Sequence, residues 1–197
     1  MPVELPVPAA ATALATLEAV KLYMGISGTT QDAKLTAIIP AAEAAVKTYC
    51  DQNLVSDTYT DYVSGEDSYK WSFLALQQRP ITSVTSIHRW NGADYITALV
   101  EIDDYRVNGD EVLGRFVSGW QNHKVIYTAG YTTIPDDLQQ ATCMVVKSLF
   151  DRSNKAAGVA SEKIGDYAYS LANETSDTAT IPAEAKLILN KYKRVSL

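Results

Sequence analysis

Cysteine, histidine and phenylalanine are scarce in this chain of 197 residues, which holds two, two and three of them. Two cysteines cannot carry a disulfide framework. Cys50 and Cys143 both fall inside apolar helical patterns and read as buried, unreactive thiols compatible with a reducing compartment. The two histidines, His88 and His123, each sit in a strand-like run (SIHRW and NHKVIYT). There is no G-x-S-x-G nucleophile elbow, no H-E-x-x-H helix, and no Cys or His pair at metal-ligand spacing. The ten glycines are scattered and form neither a P-loop nor a dinucleotide fingerprint. Enzymatic chemistry has no positive sign, so no catalytic, cofactor-binding or metal-ligating residue is expected.

Positive charge is also in short supply. Lys+Arg 17 against Asp+Glu 23 gives a formal net charge of −6. A sequence-independent DNA binder needs a basic face to displace counterions from phosphates, and this balance argues against one. It remains compatible with a protein past which DNA slides without being gripped. No apolar run approaches the roughly 20 residues of a bilayer span. The opening MPVELPVPAA carries Glu4 and three prolines where a signal peptide needs positive charge and then an unbroken apolar helix. Neither secretion nor membrane insertion is predicted. The acidic set Glu101, Asp103, Asp104, Asp110 and Glu111 lacks the residue order of an EF-hand and reads as a solvated hairpin rim.

What is present is an ordinary globular balance, with 47% hydrophobic and 20% charged residues. Residues 1–15 read as a flexible Pro- and Ala-rich arm. A first helix is expected from Thr16 as N-cap, with Leu17, Val20 and Met24 at helical spacing and Gly25 as the left-handed stop. A second begins after Thr29 or Thr30 and runs to Cys50, its apolar face made by Leu35, Ile38, Ile39, Ala42, Val46 and Tyr49. Pro40 is expected to kink it. From about 54 to 130 the period changes to that of β-strands, with turns at Gly65, Asn91–Gly92, Asn108–Gly109 and Gly119. Ile81, Val84 and Ile87 are irregularly spaced, which leaves that strand's register open. Tyr59, Tyr62, Tyr69 and Trp71 read as the inner face of this sheet, or as interface anchors. A third helix follows Pro135, with Leu138, Ala141, Thr142, Val145 and Leu149 inward. An extended polar arm covers about 152–180, and a last helix about 182–195 starts at Pro182.

Helices at the two ends of the chain can bury their stripes only against one another. The expected fold is therefore α+β, mainly α. It is a helical bundle of about four helices with an inserted small antiparallel β-sheet and a C-terminal arm and helix, as a single domain over 16–197.

The motifs, in this order, resemble the head-tail connector, or head-completion adaptor, proteins of tailed bacteriophages. TLEAVKLYMGI and DAKLTAIIPAAEAAVKTYC resemble the family's two N-terminal helices, and LQQRPITSVTSI the strand that opens its sheet. VIYTAGYTTIPDDLQQATCMVV resembles its strand, tyrosine-glycine turn and proline-capped helix. SEKIGDYAYSL and IPAEAKLILNKYKRV resemble its arm and closing helix. The match covers most of 16–195; Pro40 and the sheet between about 54 and 125 depart from it.

The resemblance implies a structural protein of the virion neck, made in the host bacterial cytoplasm. It would form a homo-oligomeric ring, usually a dodecamer, below the portal protein. The ring would extend the DNA channel, let double-stranded DNA pass during ejection without specific binding, and offer an attachment surface to a stopper or tail-completion protein. No cofactor is implied. The resemblance also points to the C-terminal segment as the portal contact: Lys186, Lys191, Tyr192, Lys193 and Arg194 form a basic end in an acidic protein. Complementarity to the C-terminal helix dipole is the other reading of those charges. The arm around Ile164, Gly165, Asp166, Tyr167 and Tyr169 could add to a neighbour's sheet edge and seal the ring, or pack on its own domain. The alternatives are a neck stopper or tail-completion protein, expected to hold less helix, and a carbohydrate- or peptide-binding module built on the aromatic-rich sheet.

Overall fold

A computed structural model of the chain describes residues 13–65, 71–99, 104–154, 161–164, 167–170 and 181–194. The contacts divide it into two compact units. One comprises 51–135 with Arg194; the other joins 13–50 to 136–193.

The second unit is helical and gathers both ends of the chain, as the exposed stripes required. Helix α1 (Leu17–Met24) is capped by the Thr16 hydroxyl, which accepts from the Ala19 amide at 3.2 Å, and stops at Gly25 in the left-handed conformation. Helix α2 (Asp32–Cys50) starts one or two residues later than the threonines suggested, and Asp32 in its first turn pairs with Lys21 of α1 at 2.7 Å. It runs through Pro40 as one helix. Pro40 and Thr36, the residue four before it, are both exposed, so the carbonyl deprived of its intrahelical donor faces water. Helix α3 (Asp136–Asn154) packs against α1, α2 and α4 (Ala183–Leu189). Leu35, Ala42, Val46, Leu138, Ala141, Val145, Ala185 and Leu189 are fully buried among them. The last helix is shorter than the sequence pattern suggested: after Leu189 it tightens into a 3₁₀ turn, Asn190–Tyr192. Between α3 and α4 lies a two-stranded hairpin, β8 (Ser161–Ile164) and β9 (Tyr167–Ser170).

The first unit is entirely β. Strands β1 (Asp57–Gly65), β7 (Gly119–Ala129), β3 (Ile81–Trp90) and β4 (Tyr95–Ala98) form one antiparallel sheet in that order. Strands β2 (Ser72–Leu74), β6 (Glu111–Gly114) and β5 (Tyr105–Asn108) form a second. Both sheets feed one core that contains Leu74, Ile87, Tyr105, Val112, Phe116, Val125 and Tyr127. The irregular spacing along β3 has a physical cause. Ile81, Val84 and Ile87 pair with Ala129, Tyr127 and Val125, so β3 advances three residues where β7 advances two. A bulge in each interval absorbs the extra residue and keeps all three side chains on the inner face.

Two turns position the ladder. Asn108 pairs with Glu111 around Gly109, which has φ +60°, as the hairpin signal predicted. At Gly130 (φ +100°) a Cβ would stand 2.5 Å from the Val55 carbonyl oxygen, so only glycine fits where β7 turns toward α3.

The expectation of a mainly helical bundle with a small inserted sheet is corrected by this structure. Among the described residues the strands hold as many residues as the α-helices, and the seven strands between α2 and α3 make a compact unit with its own core. Long helical stripes stand out in a sequence, whereas four-residue strands each leave a weak trace.

Candidate interaction surfaces

The cysteines and histidines are placed as follows. Cys50 and Cys143 are buried, and burial pushes both thiols up to about 11, so neither is a thiolate near neutrality. His123 is fully buried edge-on against Phe116. Burial first, and the Arg89 charge second, lower its imidazole to about 4. His88 lies on the opposite face of the sheet, with Nε2 3.1 Å from the Ser86 hydroxyl. Among the described residues no group of three His, Cys, Asp or Glu could hold a metal ion, and no helix is long and apolar enough to cross a membrane. Of the acidic rim, Asp110 accepts the Ile81 amide at 3.0 Å, while Glu101 and Asp103 lie outside the described residues.

The basic C-terminal segment is tied to its own chain. Lys191 Nζ lies 3.2 Å from Asp137 Oδ2, and the Tyr192 hydroxyl donates to the same carboxylate. The Tyr192 bond, then Lys191, hold that carboxyl below its usual range. Asn190 accepts from the Tyr49 hydroxyl at 2.7 Å, and Lys193 Nζ stands 5.4 Å from the Tyr49 ring centre. Arg194 reaches Asp51 at 3.9 Å, and Lys186 is half-buried on α4. The outward side of the segment is still charged, with Lys191 69% exposed. Of the arm residues, Ile164 and Tyr167 pair across the hairpin and Tyr169 pairs with Glu162. Gly165 and Asp166 lie outside the described residues.

Strand parity sorts the aromatic residues. Tyr59 is inward and half-buried: its hydroxyl accepts from Asn53 Nδ2 at 2.6 Å and its ring lies 5.9 Å from that of Tyr127. Tyr62, three residues on in a period-two strand, points outward. Its ring meets Tyr95 at 5.3 Å, and Tyr95 meets Trp90 at 5.0 Å. The Tyr95 hydroxyl donates to the Gln121 carbonyl, next to Trp120, which is 83% exposed. Trp71 is exposed too, with the Arg106 guanidinium 5.5 Å from its ring. Tyr69 lies outside the described residues. Reading Tyr62 and Trp71 as inner-face residues therefore fails; Tyr62 alternates with the buried Asp61 and takes the outer side.

A family model described as head completion protein matches residues 13–195. The chain belongs to the head completion protein family. As a member it is a structural component of the virion's head–tail junction. The fold is similar to a chain in the neck of an empty GTA particle computed with C6 symmetry, at 15% identity, TM-score 0.59 and 95% coverage of both chains. It also resembles a chain of the virion of a native gene transfer agent particle, at 15% identity, TM-score 0.58 and coverage of 96% of this chain and 95% of that one. A third likeness is to the neck of the native particle computed with C12 symmetry, at 16% identity, TM-score 0.55 and 95% coverage of both chains. At such identities the likeness is one of fold. No curated protein matches the chain.

Proposed function

We propose that this head completion protein assembles as a ring of twelve beneath the portal protein in the virion neck. There it extends the DNA channel and presents an attachment surface to the stopper or tail-completion component. The observation that carries this reading is the family match over nearly the whole chain, joined to a fold shared end to end with a chain from a neck computed with C12 symmetry. The work is mechanical: the protein is not an enzyme and takes no cofactor. Double-stranded DNA crosses the lumen without specific binding, in keeping with a net charge of −6.

The basic segment Lys186, Lys191, Tyr192, Lys193 and Arg194 is the portal contact in this reading, through the charge left exposed outside the Asp137 pairing. The arm around Ile164, Gly165, Asp166, Tyr167 and Tyr169 contributes to sealing between subunits. Negative-stain microscopy of the purified protein mixed with portal rings from the same virus tests the proposal. Portals lengthened by a coaxial ring of density are expected. Unaltered portals beside a monomeric protein would overturn it.

A further inference from the structure

Two surfaces stand uncovered, an aromatic one on the β unit and, on the helical unit, a polar-walled groove flanked by exposed leucines. On the β unit, Tyr62, Tyr95 and Trp90 form the linked set of rings described above; Trp120, next in sequence to the Gln121 that takes the Tyr95 hydroxyl, is 83% exposed and Ile96 63%. A fully buried aromatic side chain covers about 150–250 Å². At the observed exposures these residues leave on the order of 400 Å² of apolar surface in water, within the range of about 300–600 Å² for the largest patch on a monomer. One partner of a stable interface contributes about 800 Å², with a charge-poor aromatic centre and a polar rim. Lys124 and His88 share the cross-strand row of Tyr62, on the two central strands.

On the helical unit, Tyr23 of α1, Met144 of α3 and Pro182 ahead of α4 line a groove of about 390 Å³. Lys147, Ser148, Asp151, Arg152 and Glu184 make the rest of its lining polar, with Lys147 and Asp151 paired at 2.6 Å. Leu22, adjoining Tyr23, is 86% exposed; Leu187, one turn beyond Glu184 on α4, is 73% exposed.

A ring closed by rotation uses heterologous contacts, so each subunit must offer two different faces that fit one another. Resting on the ring reading above, we propose that the aromatic cluster of one copy docks on the helical groove of the next. Trp120 enters between Tyr23, Met144 and Pro182, and Leu22 and Leu187 cover the rings around it. The carboxylates of Asp151 and Glu184 give the indole N–H an acceptor, which a buried tryptophan requires.

The test uses the full chain, assembled alone or on portal rings, with Trp120→Ser and Leu187→Glu. Both side chains are largely in water, so circular dichroism and thermal midpoint should match the unaltered protein. Each variant alone should lose the ring, with association weakened about thirtyfold or more, as for a central aromatic anchor. An equimolar mixture should stop at heterodimers in sedimentation velocity, since one intact junction survives per pair. Rings from either variant at unaltered affinity would overturn the docking while leaving the ring reading in place. Absence of a ring from the unaltered chain, alone and on portals, would overturn both.

Discussion

At the scale of single residues, His123 shows how a polar group can be read as chemistry and serve as core. Asn122 Oδ1 accepts from the Gly65 amide at 2.9 Å and lies 3.0 Å from His123 Nδ1, so the proton belongs on Nδ1. Nε2 is buried with no partner among the described residues, and a second proton there would be a charge without an acceptor. The folded imidazole therefore titrates near 4, well below its ordinary 6.5. As pH falls below 6.5 the unfolded chain takes up the proton first, so the stabilising contribution is complete above that value and drains away toward pH 4. The loss over this window is about 3 kcal/mol. Denaturant unfolding at pH 7 and pH 4 should show His123→Gln losing less stability than the unaltered chain by about that amount. An equal loss in both would show that His123 does not govern the acid response.

At the scale of elements, local signals were legible and tertiary ones were not. Thr16 and Gly25 bound α1 as read, because a cap depends on its own few neighbours. Helix α2 begins one or two residues beyond the threonines, where the Gln31 carbonyl takes the first intrahelical bond from the Leu35 amide. The bulges in β3 could be seen only as broken spacing until the partner strand showed what absorbed the extra residues. The C-terminal segment raises the same problem for experiment. Deleting it from Lys186 onward would strip the fully buried Leu189 and the Tyr192 bond to Asp137, and so would unfold the helical unit rather than test docking. Lys191→Glu with Lys193→Glu is the sharper change. The exposed Lys191–Asp137 pair contributes about 0–1 kcal/mol, so the helical signal should persist. Binding to immobilised portal rings should weaken about tenfold, with the loss growing at low salt. Unchanged binding would leave helix-dipole complementarity as the account of those charges.

At the scale of the whole molecule, the joining of the two chain ends was legible because an amphipathic stripe must find a partner and each end supplied one. The facing of single residues was not, as Tyr62 shows: in isolation a tyrosine amid strand residues suits either face, and pairing against Lys124 sets its side. Net charge is a property of this scale as well. With 23 acidic residues against 17 basic ones, the net charge of −6 works against the counterion release on which duplex binding rests, and the proposed ring is expected not to hold DNA. Fluorescence anisotropy of labelled double-stranded DNA should therefore stay flat as protein is added, at low ionic strength as well as near physiological salt. Binding that appears at low salt and vanishes steeply as salt rises would show a concentrated basic track hidden by the overall balance. The protein would then grip the genome where a passive channel lets it slide.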